Sequence, residues 1–242
     1  MKRLTRATAG TAVAAAALIG MSGTAFAATS PAPVPSTAPS FQGQNLAAIQ
    51  KQAAADIARR LSSLSVAIND VTNSTAISAG DKTTLLATLN NDVTGLTALG
   101  TTIANDTTAQ QALTDSKTIF TGFRVYALAL PQVHFAAAAD TITVTVLPKL
   151  TDAQSKLAAL LAGADSGKNT PAVQALMTDL GNQITAITGA TTGLSATVLA
   201  YTPAQYDANH ALLSPARGSL AISRNDIKTA RHDVATVVAD LK

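Results

Sequence analysis

The chain contains no cysteine, no tryptophan and no glutamate, so each of its 14 acidic residues is an aspartate. Without cysteine there can be no disulfide, no thiolate metal ligand, no cysteine nucleophile and no acylated lipoprotein cysteine. Without glutamate, the Glu-rich ligand sets of dinuclear helical-bundle sites lose their usual source. Charged residues are 13% of the chain, against about 25% in ordinary soluble proteins, and Thr, Asn, Gln and Ser fill the polar positions instead. Past the N-terminus no apolar run approaches the ~20 residues needed to cross a bilayer as a helix.

What is present begins with an export signal. Lys2, Arg3 and Arg6 form a positive start, Ala7 to Ile19 is apolar or small, and Ala25-Phe26-Ala27 is an A-x-A cleavage site before Ala28. The apolar run of about 13 residues is too short to anchor, so cleavage is expected. Lys2-Arg3 is not a twin arginine, which favours the general secretory route. The expected products are residues 1–27 as signal peptide and a protein that is secreted, extracellular or held in the cell wall. The whole chain has 17 basic residues. Removing Lys2, Arg3 and Arg6 leaves 14 against 14 acids. The excess of positive charge therefore leaves with the signal and gives no ground for nucleic acid as a partner.

Residues 28–42 carry Pro31, Pro33, Pro35 and Pro39 among Ala, Ser and Thr, a composition expected of a disordered tether. From 43 to 242 the periodicity is helical. Leu46, Ile49, Ala53, Ile57, Leu61, Leu64, Ile68 and Val71 form one stripe, and Leu85, Leu89, Val93, Leu96, Leu99 and Ile103 a second. Ser78 and Asp81 resemble a capping box ahead of that second helix. A third runs from near Thr107 to about Phe123, where the segment Arg124–Pro131 is expected to interrupt it, since proline disfavours helix at the residue before it. Thr141 to Val146 alternates like a strand, yet Ile142, Val146, Leu150, Ala153, Leu157 and Leu160 continue at helical steps. The reading is helix with a kink at Pro148. A further helix opens at Pro171 and carries Val173, Leu176, Leu180, Ile184, Ile187 and Leu194, ending at Tyr201-Thr202-Pro203. In the last, Leu213, Leu220, Ile227, Val234 and Leu241 recur every seven residues.

Few residues suggest chemistry. Arg217, Arg224 and Arg231, and Asp226, Asp233 and Asp240, repeat with the same period and are expected to be salt-bridged flanks of the last seam. Asp207-x-x-His210 places a carboxylate and an imidazole on one helix face, but it is half a motif and predicts no metal. Gly163 to Thr170 superficially resembles a phosphate loop, with a residue missing between its glycines and Asn169 in place of Ser or Thr after Lys168. No G-x-S-x-G elbow and no H-E-x-x-H occurs. The most polar and aromatic stretch surrounds the expected break, where Arg124, Tyr126, His134 and Asp140 are the candidate ligand-binding residues.

The residues Arg124-Val125-Tyr126, Leu130-Pro131-x-Val133-His134 and Ala139-Asp140, with Leu199 to Pro203, Asn209 and Ser214, resemble a set of uncharacterised secreted helical proteins from actinobacteria. The likeness covers most of the chain past Asp81 and is strongest from Arg124 to Phe135. It implies export and a helical bundle and carries no assigned activity and no catalytic residue.

The sequence therefore predicts an all-α, elongated antiparallel bundle of five or six helical segments behind a tether. It is expected to be non-enzymatic and to use no cofactor. The expected role is structural or protein-interacting, with another envelope protein or a cell-wall component as partner, no nucleic acid, and no membrane span once the signal is cleaved. The alternative is a small-ligand-binding bundle with its pocket at 124–140. The oligomeric state is left open, since the last seam can pack within one chain or between chains.

Overall fold

The computed structural model describes residues 45–242; the expected signal peptide at 1–27 and tether at 28–42 lie outside the described residues. The described chain is all-α, with helices α1 (Leu46–Asn73), α2 (Ala79–Asn105), α3 (Ala109–Thr121), α4 (Leu130–Asp140), α5 (Leu147–Ala162), α6 (Pro171–Thr191), α7 (Leu194–Leu199), α8 (Pro203–Ala208) and α9 (Ser214–Asp240). At 28 residues, α1 is about 42 Å long at 1.5 Å per residue. Asn45 caps it by accepting from the Ala48 N–H.

The apolar stripes predicted from the sequence are buried, but they close two large cores, with a smaller cluster where Leu128, Val198, Leu213 and Ala216 meet. Ile49, Ala53, Leu64 and Val71 of α1 meet Leu85, Leu89, Leu96 and Ile103 of α2 and Ala112 and Ile119 of α3. A second three-helix unit buries Leu150, Leu157 and Leu161 of α5 against Leu180 and Ile187 of α6 and Leu220, Ile227 and Val234 of α9. Val133, Ala136 and Ala137 of α4 belong to the first core, and Phe135 and Ala138 pack on the second. The two units thus follow one another along α4 and α5. The seven-residue seam of α9 is consumed inside the chain, mostly against α6.

That connecting helix is where the structure departs most from expectation. The break lies at Gly122–Arg124, and the chain is helical from Val125 through Ala162 across both Pro131 and Pro148. A proline inside a helix offers no N–H to the carbonyl four residues back, and its ring crowds that carbonyl. Here each proline is preceded by a wider π-type turn. The Leu130 N–H reaches back to Val125 O and the Leu147 N–H to Ile142 O, five residues away in each case. One extra residue in the turn moves the crowded carbonyl aside, and the rod continues. The β-branched run Thr141–Val146 is one of these turns. Its threonines are satisfied within the helix, Thr141 Oγ1 donating to Ala137 O and Thr143 Oγ1 to Ala139 O.

The helix that begins at Pro171 stops earlier than expected. Gly193 adopts φ +70°, a left-handed conformation that favours glycine, and separates α6 from the short α7. Pro203 opens α8 behind Thr202, whose hydroxyl accepts from Gln205 N–H while the Gln205 side chain returns the bond.

Candidate functional site

The corner between α3 and α4 is built around Arg124, the one non-glycine residue with positive φ among the described residues, at φ 46°. Gly122 and Phe123 lead into it, and the Phe123 ring lies so close over α2 that a Cβ on Gly95 would sit 2.6 Å from it. The turned backbone aims the Arg124 guanidinium at α8, where Nε donates to Asp207 Oδ1 and the group lies 5.7 Å from the Tyr206 ring centre. His210 meets Tyr206 edge-on at 5.3 Å. Asp207 and His210, the half-motif seen in sequence, therefore serve different neighbours: the carboxylate neutralises Arg124 and the imidazole packs on an aromatic ring.

Tyr126 points the other way, to α1. Its hydroxyl lies 3.2 Å from Ser63 Oγ, and its ring is 5.3 Å from the Arg60 guanidinium, which also lies 4.4 Å from the Phe120 ring. Arg60 is only 7% exposed. It donates to Asp56 O at 3.0 Å; burial lowers its pKa, and Asp56 and then Tyr126 oppose that shift. Cation, rings and carboxylate together tie α1 to α3 and the corner. Sequence reasoning placed neither Arg60 nor Asp56 here, although their i, i+4 spacing was visible.

His134 borders an open groove of about 360 Å³ with Ser62, Ser63, Val66, Ala67 and Asp70 of α1 and Leu130 and Val133 of α4. Asp140, at the far end of α4, accepts from the Ser78 N–H at 2.7 Å and lies near enough to Asp81 for that carboxylate to raise its pKa. Asp81 in turn accepts from the Ser195 hydroxyl of α7. The capping box expected at Ser78 and Asp81 is thus half formed: Ser78 Oγ accepts from the Asp81 N–H, while the Asp81 side chain goes to α4 and α7. Burial is the first cause of the raised pKa of Asp140, the Asp81 charge adds to it, and the Ser78 N–H opposes it.

A second acid pair went unnoticed in the sequence. Asp233 of α9, 3% exposed, and Asp179 of α6 both accept from the Gln183 side-chain amide, at 3.0 and 2.7 Å. Burial raises the Asp233 pKa, Gln183 opposes this, and Asp179 adds to it. The readable signal was its position, three residues after Ala230 and four before Val237, at the edge of the buried arc. Asp92 on α2 is pushed up to about 6 by burial alone.

The four candidate residues therefore do not gather around one cavity. Arg124 faces α8, Tyr126 and His134 face α1, and Asp140 joins α2 and α7. At 1.5 Å per residue, Tyr126 and Asp140 are about 20 Å apart along their helix, which is the physical reason a pocket at 124–140 does not form from them. Fold and site together define an all-α protein of two three-helix units whose polar clusters sit at helix junctions. Compared with protein-family models, curated proteins and solved structures, the chain has no significant match. No group of three or more His, Cys, Asp or Glu able to hold a metal ion occurs among the described residues, and no helix there is long and apolar enough to cross a membrane.

Proposed function

We propose that this is an exported scaffold protein of the extracellular space or cell envelope, with a structural or interaction role and no catalysis of its own. The observation that carries the reading is the use made of the chemistry-bearing side chains. Arg124, Tyr126 and Asp140 are each spent on a contact between helices, and so are the buried Arg60, stacked on the Phe120 and Tyr126 rings, and the buried Asp233. A protein that commits such groups to joining helices works through its outer faces. The signal at Lys2 to Ala27 and the likeness to secreted actinobacterial helical proteins support export, and a wall component or another envelope protein is the partner that fits.

Expression of the full chain in a bacterial host, followed by fractionation and mass measurement, tests this. The expected product begins at Ala28 and is found in the medium or the wall fraction. An uncleaved chain retained in the cytoplasm overturns the reading.

A further inference from the structure

The repeating charges of α9 were expected to pair with one another, and they do not. Arg224 and Asp226, like Arg231 and Asp233, are two residues apart, which is about 200° around a helix, so the rows lie on opposite flanks and never at the i, i+3 or i, i+4 spacing an intrahelical pair requires. Asp233 is buried beside Gln183. Asp226 is half-buried, with one carboxylate oxygen enclosed. The basic row stays outside. Arg217, Arg224, Lys228 and Arg231 are all exposed, and none of them takes part in an ion pair recorded among the described residues. Lys228 lies four residues from Arg224 and three from Arg231, spacings at which like charges face and repel one another. The helix carries this repulsion on its outer face with no internal partner to relieve it.

From these observations, and resting on the export reading above, we propose that the outer face of α9 is a docking surface for a linear polyol-phosphate polymer of the envelope. The three arginines recur every seven residues, about 10.5 Å apart, in a line that suits a flexible chain with phosphates along it. Guanidinium groups suit phosphate because their planar fork pairs with two oxygens at once. Two competing polyanions fit less well. The stretch from Ser214 to Lys242 has no Phe, Tyr or Trp, so base stacking there is confined to the His232 ring and the guanidinium planes, a poorer platform than single-stranded nucleic acid usually meets. Its exposed large apolar residue, Ile222 at 56%, lies about 140° or more round the helix from the arginines, so the row lacks the apolar partner an anionic bilayer surface requires.

Anisotropy titration of end-labelled poly(glycerol phosphate) with the purified exported protein at low salt is the direct test. Binding is expected, and with four cations engaged a tenfold rise in salt is expected to weaken it by about two to three orders of magnitude. R217Q/R224Q/R231Q is expected to lose at least about tenfold in affinity with an unchanged thermal melt, since surface changes away from buried features rarely alter stability. K51Q/K82Q/K117Q, which removes the same charge from the first unit, is expected to stay within about threefold of the parent, the modest change left when no contacting cation is lost. Absence of binding at low salt overturns the proposal. So does an equal loss in the two variants, or tighter binding to an oligonucleotide, to poly-aspartate or to vesicles with anionic lipid. The fractionation experiment is independent of all these outcomes, so failure here leaves the export reading standing or falling on its own result.

Discussion

Asp140 and Asp233 show how single residues in this protein take their meaning from neighbours distant in sequence. Each is a buried carboxyl near a second carboxyl, Asp81 and Asp179 respectively, and at Asp233 the nearby His232 only partly opposes the upward shift that burial sets. Their raised pKa values mean that the folded state binds protons more tightly than the unfolded chain, whose aspartates titrate near about 3.9. The stability they contribute is complete below that value and is lost as pH rises through the higher folded pKa. The double variant Asp140→Asn/Asp233→Asn keeps an oxygen for the Ser78 N–H and for Gln183 while removing the titration. Urea midpoints measured from pH 4 to pH 8 are expected to fall less with rising pH in the variant than in the parent. An identical pH dependence in both proteins would show that the pairs carry no proton linkage. In sequence Asp140 stood out for its place in a polar stretch, whereas Asp233 was hidden in a periodic row.

At the scale of elements, the continuous helix from Val125 to Ala162 was the hardest feature to read. Pro131 and Pro148 are stop signals by local rules, and Thr141–Val146 has the alternation of a strand. All three are overruled because packing on both cores rewards continuity, and the two π-type turns remove the steric objection. The amphipathic stripes of α1, α2 and α9 were legible because their period matches the faces they bury. The short α7 was not, since its place depends on Gln132. This buried side chain donates to Val198 O and Tyr201 O, both at 2.9 Å, and so satisfies carbonyls at the end of α7. Gln132→Ala leaves those carbonyls without their donor and is expected to cost about 1–3 kcal/mol. A denaturant midpoint, with hydrogen exchange loosening first at 194–201, checks both the size and the location.

For the whole molecule, the central consequence is that α4 contributes to both cores. The two units are therefore expected to unfold together. Leu96 and Leu180 are each 0% exposed in the first and second core, and Leu96→Ala or Leu180→Ala is expected to destabilise by about 2–5 kcal/mol. Either change should lower one shared transition, followed by helicity and by tyrosine fluorescence; two separated transitions, with only one moved by each variant, would contradict the coupling. Charge is organised at the same scale. A chain that is neutral once its first basic residues are removed still exposes a row of cations on α9, because Asp233 is turned inward and Asp226 is half-buried on the opposite flank.

The sequence alone determined the all-α class and the positions of most long helices, because each is written in local spacing, the 3.6-residue period of apolar side chains. The tertiary structure decided what those helices close around. It divided one expected bundle into two large cores and a smaller cluster, carried a helix through two prolines, separated Arg124, Tyr126, His134 and Asp140 onto different neighbours, and brought Asp81 to Asp140 and Asp179 to Asp233. Contacts between residues more than 50 positions apart leave no periodic trace in the chain, and they are made only when the helices pack.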